Sequence, residues 1–223
     1  MGRESRECQM KLSRLARDGV VLLAFVLAFY LVILWVQYLG SAEQESIAEE
    51  VSFDRQQAEQ SYNMKNWDQS AVHFERLVEN DPFNGHAWFF LGYSYHAQQV
   101  PMYTLVNREL RRTNPDPEKI AQWNDQLKVT MDRAIPPLIR AIDFPRYRNQ
   151  ARFLLARMYA YHGERELAFQ YLSEALQDGF ISNYKGGIGN GGIFEFRQIR
   201  ETPEFQRMVR WEAENFGVGR SAR

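Results

Sequence analysis

Residues 88–95 read Trp88-Phe89-Phe90-Leu91-Gly92-Tyr93-Ser94-Tyr95. Trp88, Leu91, Gly92 and Tyr95 share one face of an α-helix, because 3.6 residues per turn stacks positions three, four and seven apart. Gly92 leaves that face without a side chain at its centre, so a second helix is expected to approach closely there. The spacing predicts a helix over 85–98. Its small position sets a register for the rest of the chain: Ala58 lies 34 positions upstream, and Ala134 and Ala168 are again 34 apart. Small residues at that period point to stacked helical hairpins.

The pattern W-x2-L-G-x2-Y resembles the first-helix signature of the tetratricopeptide repeat family. An upstream copy has the loop Lys65-Asn66-Trp67-Asp68 and then Ser70, Phe74 and Pro82 at the A-x3-F…P spacing, although Leu77 stands where the family places a small residue. A downstream copy carries Ala156, Tyr159, Gly163, Ala168 and Ala175. In the middle copy the second helix starts late, at Ala134-Ile135, so about 30 residues are inserted. The resemblance implies an all-α, TPR-like helical solenoid over 53–182, with an insert at about 99–131 and a capping segment over 183–223. It also implies a concave groove lined by first helices. Mapped onto this sequence, the partner-binding residues are Arg55, Glu59, Tyr62 and Asn63; His86, Phe89, Tyr93 and His96; and Gln150, Phe153, Arg157 and Tyr161. The lysine and asparagine of the chaperone-tail clamp are replaced by Arg55 and Glu59, so that function is not implied.

Within the insert, Pro101 followed by Met102, Leu105, Val106 and Leu110 predicts a short amphipathic helix. Asn114-Pro115-Asp116-Pro117 breaks it. Ile120, Trp123, Leu127, Met131, Ala134 and Leu138 then keep helical spacing, with a kink or restart expected at Pro136-Pro137 because each proline removes a backbone donor. After Phe180 the periodicity stops in a glycine-rich loop over 184–192. Thr202-Pro203-Glu204 predicts the start of a last helix with Phe205, Met208, Val209, Trp211 and Phe216 on its apolar face.

The chain has 223 residues, a formal net charge of −1, 45% hydrophobic and 14% aromatic residues and a single cysteine, Cys8. That balance offers no basic field for nucleic acid, and one cysteine cannot form an internal disulfide. One block stands apart: residues 19–40 carry no charge and are long enough to cross a bilayer core of roughly 30 Å as a helix. Arg3, Arg6, Lys11, Arg14 and Arg17 precede it, while Glu43, Glu45, Glu49, Glu50 and Asp54 come before the next basic residue, Arg55. The positive-inside rule predicts a cytoplasmic tail over 1–18, a single-pass transmembrane helix over 19–40 in a bacterial inner membrane, a linker over 41–52 and a periplasmic domain. A signal peptide cleaved near Gly40-Ser41-Ala42 is the rival reading, against which the length of the apolar run argues.

Little points to chemistry. Gly187-x-Gly189-x-x-Gly192 lacks the strand and helix of a dinucleotide site, and Lys185 precedes the glycines instead of following them as in a P-loop. His73, His86, His96 and His162 show no paired metal-ligand spacing. No catalytic residue, cofactor, metal, nucleic acid or small-molecule substrate is expected. The functional expectation is a membrane-tethered interaction module or scaffold, binding membrane-associated proteins and held in the bilayer by residues 19–40. The alternatives are an accessory subunit of a larger membrane complex and, more distantly, a cell-envelope enzyme.

Overall fold

The computed structural model describes residues 29–33, 35, 48–180, 187–189 and 193–216. The chain divides into two units, 1–52 and 53–223. In the first, the described residues 29–33, 35 and 48–52 are helical, and Phe29, Tyr30, Leu31, Val32, Ile33 and Trp35 are exposed.

The second unit is all-α, with no strand among its described residues. It opens with α1 over 53–63, followed by α2 (Trp67–Asn80), α3 (Gly85–Ala97), α4 (Val100–Leu110), α5 (Pro117–Ala141), α6 (Arg148–His162) and α7 (Arg165–Gln177). Two 3-10 turns, Gly187–Gly189 and Phe194–Gln198, lead to α8 (Pro203–Phe216). Local chemistry sets the helix ends. Asn84 Oδ1 accepts from Ala87 N–H at 3.0 Å and starts α3, and Asp116 Oδ1 accepts from Glu118 and Lys119 N–H to start α5. These side chains satisfy donors that lack an intrahelical partner. Gly163 ends α6 with φ 85°, a conformation that costs side chains with a Cβ and glycine little.

The helices pack as antiparallel neighbours, α2 on α3, α3 on α5 and α6 on α7, with α5 also against α6. Where α3 meets α5, a Cβ added at Gly92 would lie 2.5 Å from Leu138 Cγ and 3.3 Å from the Ala134 carbonyl. Glycine is what allows that approach. Ser70 of α2 is buried because its hydroxyl has partners: the Ala58 carbonyl at 3.5 Å and the Ser94 hydroxyl at 3.0 Å. Beyond α7, the closing segment adds Ile188, Ile193, Phe196, Ile199 and Phe205 to a core formed by Phe153, Ala156, Ala160, Ala168, Leu172 and Leu176.

Several expectations are corrected. The TPR-like solenoid is not found, because the described helices form no repeating unit. The insert contains a separate helix, α4, and its second half runs on without a break into the second helix of the middle pair as the 25-residue α5, which faces the 13-residue α3. α3 is buried at Gly85, Ala87, Phe89, Leu91, Gly92, Ser94, Tyr95, His96 and Ala97, so burial extends over most of its circumference and does not leave one whole face as a concave groove. The resemblance to the tetratricopeptide family was carried by small residues at helix crossings, and unequal antiparallel helices require these as much as repeats do. Pro136 and Pro137 do not interrupt α5; Ala134, Leu138 and Ala141 are fully buried on either side of them and hold the helix in place.

The transmembrane helix is corrected as well. Among the described residues no helix is long and apolar enough to cross a membrane. Of the span 19–40 only 29–33 and 35 are described; its remainder, the tail 1–18 and residues 41–47 lie outside the described residues. The single-pass inner-membrane topology, the periplasmic placement, the lipid-bilayer contact and the roles built on them, a tethered scaffold for membrane-associated proteins or a subunit of a membrane complex, therefore have no structural support and are withdrawn. The cell-envelope enzyme, which shared that placement, goes with them.

Candidate functional site

The helical unit places the groove residues in four different surroundings. Phe89 and Tyr93 of α3, together with Gln150, Phe153 and Arg157 of α6, line one cleft of about 350 Å³ that Leu154 and Phe180 complete. Glu59, Tyr62, Asn63 and His86 line a second hollow of about 210 Å³ with Phe74 and Phe90. His96 and Tyr161 are in the interior. Arg55 is exposed and lines neither.

Aromatic rings connect the two clefts. Phe89 stacks on Tyr147 at 5.1 Å and meets Phe90 edge-on at 5.2 Å. Tyr62 contacts Phe90 at 4.8 Å and Trp67 at 5.4 Å. On the far side of the first cleft Phe153 stacks on Phe180 at 4.7 Å. Rings in such pairs hold one another in place, so the walls are fixed before anything binds. Burial, reinforced by Tyr93, pushes the Tyr62 phenol up to about 12, so it is a neutral hydrogen-bonding group at any ordinary pH. Burial lowers the pKa of His86; Glu59 opposes the shift, and Arg55 and Arg146 add to it.

Behind the first cleft lies a buried ionic cluster. Glu195, on the Phe194–Gln198 turn, is 1% exposed and accepts from the Arg157 guanidinium at 2.6 Å. Burial alone would raise its pKa, but Arg157, with His96 and a backbone hydrogen bond, holds the carboxyl below the usual carboxylate range. His96 Nε2 stands 3.6 Å from the same carboxylate. Distance alone would make this an ion pair, but burial and then Arg157 pull the His96 pKa down to about 3, so the imidazole is neutral at pH 7. Tyr103 of α4 packs on Phe194 at 5.0 Å, and its hydroxyl donates to Gln99 Oε1 at 2.6 Å. The Tyr161 hydroxyl donates to Asn124 Oδ1 at 2.6 Å. The His96–Tyr161 end of the expected groove is therefore filled by α4 and the closing segment, and the Phe89–Phe153 end is open.

Another ion cluster ties α1 to α2. Asp54, 1% exposed, meets His73 Nδ1 at 2.8 Å and Arg76 at 3.4 Å. No nucleophilic side chain is hydrogen-bonded to His73 in this arrangement, which fits a clasp between helices. Among the described residues no three His, Cys, Asp or Glu side chains gather where they could hold a metal ion. A larger hollow of about 500 Å³ runs over Gly163–Leu167, but it is a turn surface bearing exposed charged residues and has no aromatic wall.

Sequence reasoning did not identify Leu154, Phe180, Tyr147 or Glu195 as part of this site. Phe180 and Glu195 lie outside the helical pattern, and only the alternation Phe194-Glu195-Phe196, a charge between two rings, marked that segment as unusual.

No family model, curated protein or solved structure matches the chain, so the tetratricopeptide resemblance has no support from relatives either.

Proposed function

We propose that the helical unit is a non-catalytic binding domain whose cleft between α3 and α6 takes the aromatic or alicyclic part of a small organic ligand. The observation that carries this reading is the convergence of Phe89, Tyr93, Phe153 and Phe180 on one opening of about 350 Å³ with Arg157 and Gln150 as its polar groups. Small-molecule sites typically enclose about 300–1,000 Å³, mostly apolar, with a few placed polar groups that fix orientation. The stacked pairs Phe89–Tyr147 and Phe153–Phe180 keep the ordering cost of binding low, because preformed walls lose little freedom.

The non-catalytic part of the reading rests on which groups reach the opening. A general acid or base must approach its substrate with a pKa near the working pH. The polar side chains lining the cleft are Tyr93, Gln150 and Arg157, with no imidazole or carboxylate among the described residues that line it. Glu195 and His96 are buried behind them.

Thermal unfolding of the full chain against a panel of aromatic and alicyclic compounds tests the reading. A ligand at about 100 times its Kd adds about 2.7 kcal/mol, worth roughly 5–10 °C in Tm for a domain of this size. Tyr93→Ala and Phe180→Ala are expected to abolish the shift. A shift of equal size in both variants would place the ligand elsewhere.

A further inference from the structure

The charged groups around the cleft bear on what it takes. They belong to every element that packs there. On α3, Phe89 and Tyr93 are uncharged, and His86 lies in the neighbouring hollow with Glu59 of α1. On α6, Arg157 lines the cleft, while Arg152 is bound to Glu174 at 3.1 Å and to Asp178 at 2.5 Å. The same two ion pairs neutralise Glu174 of α7 and Asp178 at its C-terminal end. In the α5–α6 connection Arg146 is exposed, its guanidinium 5.5 Å from the Tyr147 ring, which stacks on Phe89. In the closing segment Glu195 is 1% exposed and lies behind Arg157 without lining the cleft. A ligand entering this cleft therefore meets the Arg157 guanidinium in the wall, and the Arg146 guanidinium lies beyond Tyr147, the ring stacked on Phe89. Among the described residues, the carboxylates of Glu195, Glu174 and Asp178 are each paired with an arginine, and Asp143, in the same connection as Arg146, is exposed to solvent.

We infer that the cleft selects an aromatic carboxylate, its ring among Phe89, Tyr93, Phe153 and Phe180 and its charge toward Arg157 and Arg146. This rests on the binding-cleft reading above and adds the sign of the ligand's charge. Arg157 keeps its pairing with Glu195, and the selectivity comes from the field at the opening. A guanidinium in the wall and a second one beyond the Phe89–Tyr147 stack favour a carboxylate over an ammonium group on the same skeleton, because both Coulomb contributions change sign together. The preference must weaken in salt, since the screening length falls from about 10 Å at 0.1 M to about 3 Å at 1 M.

The test uses three probes with one ring and different charge: phenylacetate, phenethyl alcohol and phenethylamine, titrated calorimetrically into the full chain at pH 7. The expected order is acid, alcohol, amine, with the acid bound about tenfold or more tighter than the amine and most of that ratio lost in 1 M salt. Arg146→Gln is expected to weaken the acid several-fold and leave the alcohol unchanged. Amine binding equal to or tighter than acid overturns the charge inference and leaves the aromatic cleft standing. If none of the three binds, the cleft reading falls, and the charge inference falls with it. If Arg146→Gln weakens acid and alcohol alike, the arginine acts through packing and the inference is again overturned.

Discussion

Arg157 on α6 and Glu195 on the last 3-10 turn meet at 2.6 Å across 38 positions of sequence. Their contact joins the cleft wall to the segment that closes the core. Removing one member of a buried pair leaves an uncompensated charge and costs about 3–5 kcal/mol. Glu195→Ala is therefore expected to destabilise the helical unit by that amount in urea unfolding. The double variant Arg157→Met, Glu195→Met should recover most of the loss, because two apolar side chains leave no charge to desolvate. A double variant no better than the single one would mean that the carboxylate and guanidinium have separate roles.

His96 gives the domain a dependence on pH. Its folded pKa is about 3 against 6.5 for an unperturbed histidine. Between those values the unfolded chain holds a proton that the folded chain does not, so stability rises with pH there, by up to about 1.4 kcal/mol per unit. The contribution is complete above pH 6.5 and decreases as pH falls toward 3. Urea midpoints at pH 7, 6 and 5 should drop more steeply in the wild type than in His96→Leu. The carboxyl of Glu195, also held low by Arg157, adds stability that is present above its unfolded pKa and lost only at lower pH. Equal slopes in the two proteins would show that His96 protonates in place.

Gly92 is at the closest approach of α3 and α5. Replacing a mid-helix glycine with alanine usually stabilises by about 0.8–1 kcal/mol. Here the added Cβ would be 2.5 Å from Leu138 Cγ, a fully buried side chain, and overpacking costs about 1–3 kcal/mol. The clash should win, so Gly92→Ala is expected to lower Tm. Leu138→Ala should cost less in the Gly92→Ala background than in the wild type, because the added Cβ then occupies part of the space that the leucine leaves.

Pro136 is exposed in a helix that runs past it without a break. An interior proline costs up to about 3 kcal/mol through its missing donor and its clash with the preceding turn. Pro136→Ala should therefore raise Tm. A fall in Tm would indicate that the proline supports a bend on which α5 depends.

The helices were legible wherever one face carries the pattern. The insert residues Met102, Val106, Leu127 and Met131 recur at helical spacing and pack inward in α4 and α5, and Ala58, Gly92, Ala134 and Ala168 are all buried. The same small residues also suggested a repeat array that the helices do not form. Spacing records where two helices cross, but not whether one crossing copies the next. The restart expected at the proline pair did not occur, because local backbone preference gave way to the fully buried packing of Ala134, Leu138 and Ala141. Of the site, Phe89, Tyr93, Phe153 and Arg157 could be read from register. Glu195 and Phe180 could not, because their partners Arg157 and Phe153 are distant in sequence and no periodicity connects them.

Ligand binding in the cleft between α3 and α6 can be read directly from the rings that line it, by following the aromatic side-chain NMR signals of the full chain during titration with phenylacetate. Saturable shifts concentrated on Phe89, Tyr93, Phe153 and Phe180 are expected, and none in Phe180→Ala. Unchanged signals at those four rings, or saturable shifts confined to Trp211 and Phe216 on α8, would contradict binding in that cleft.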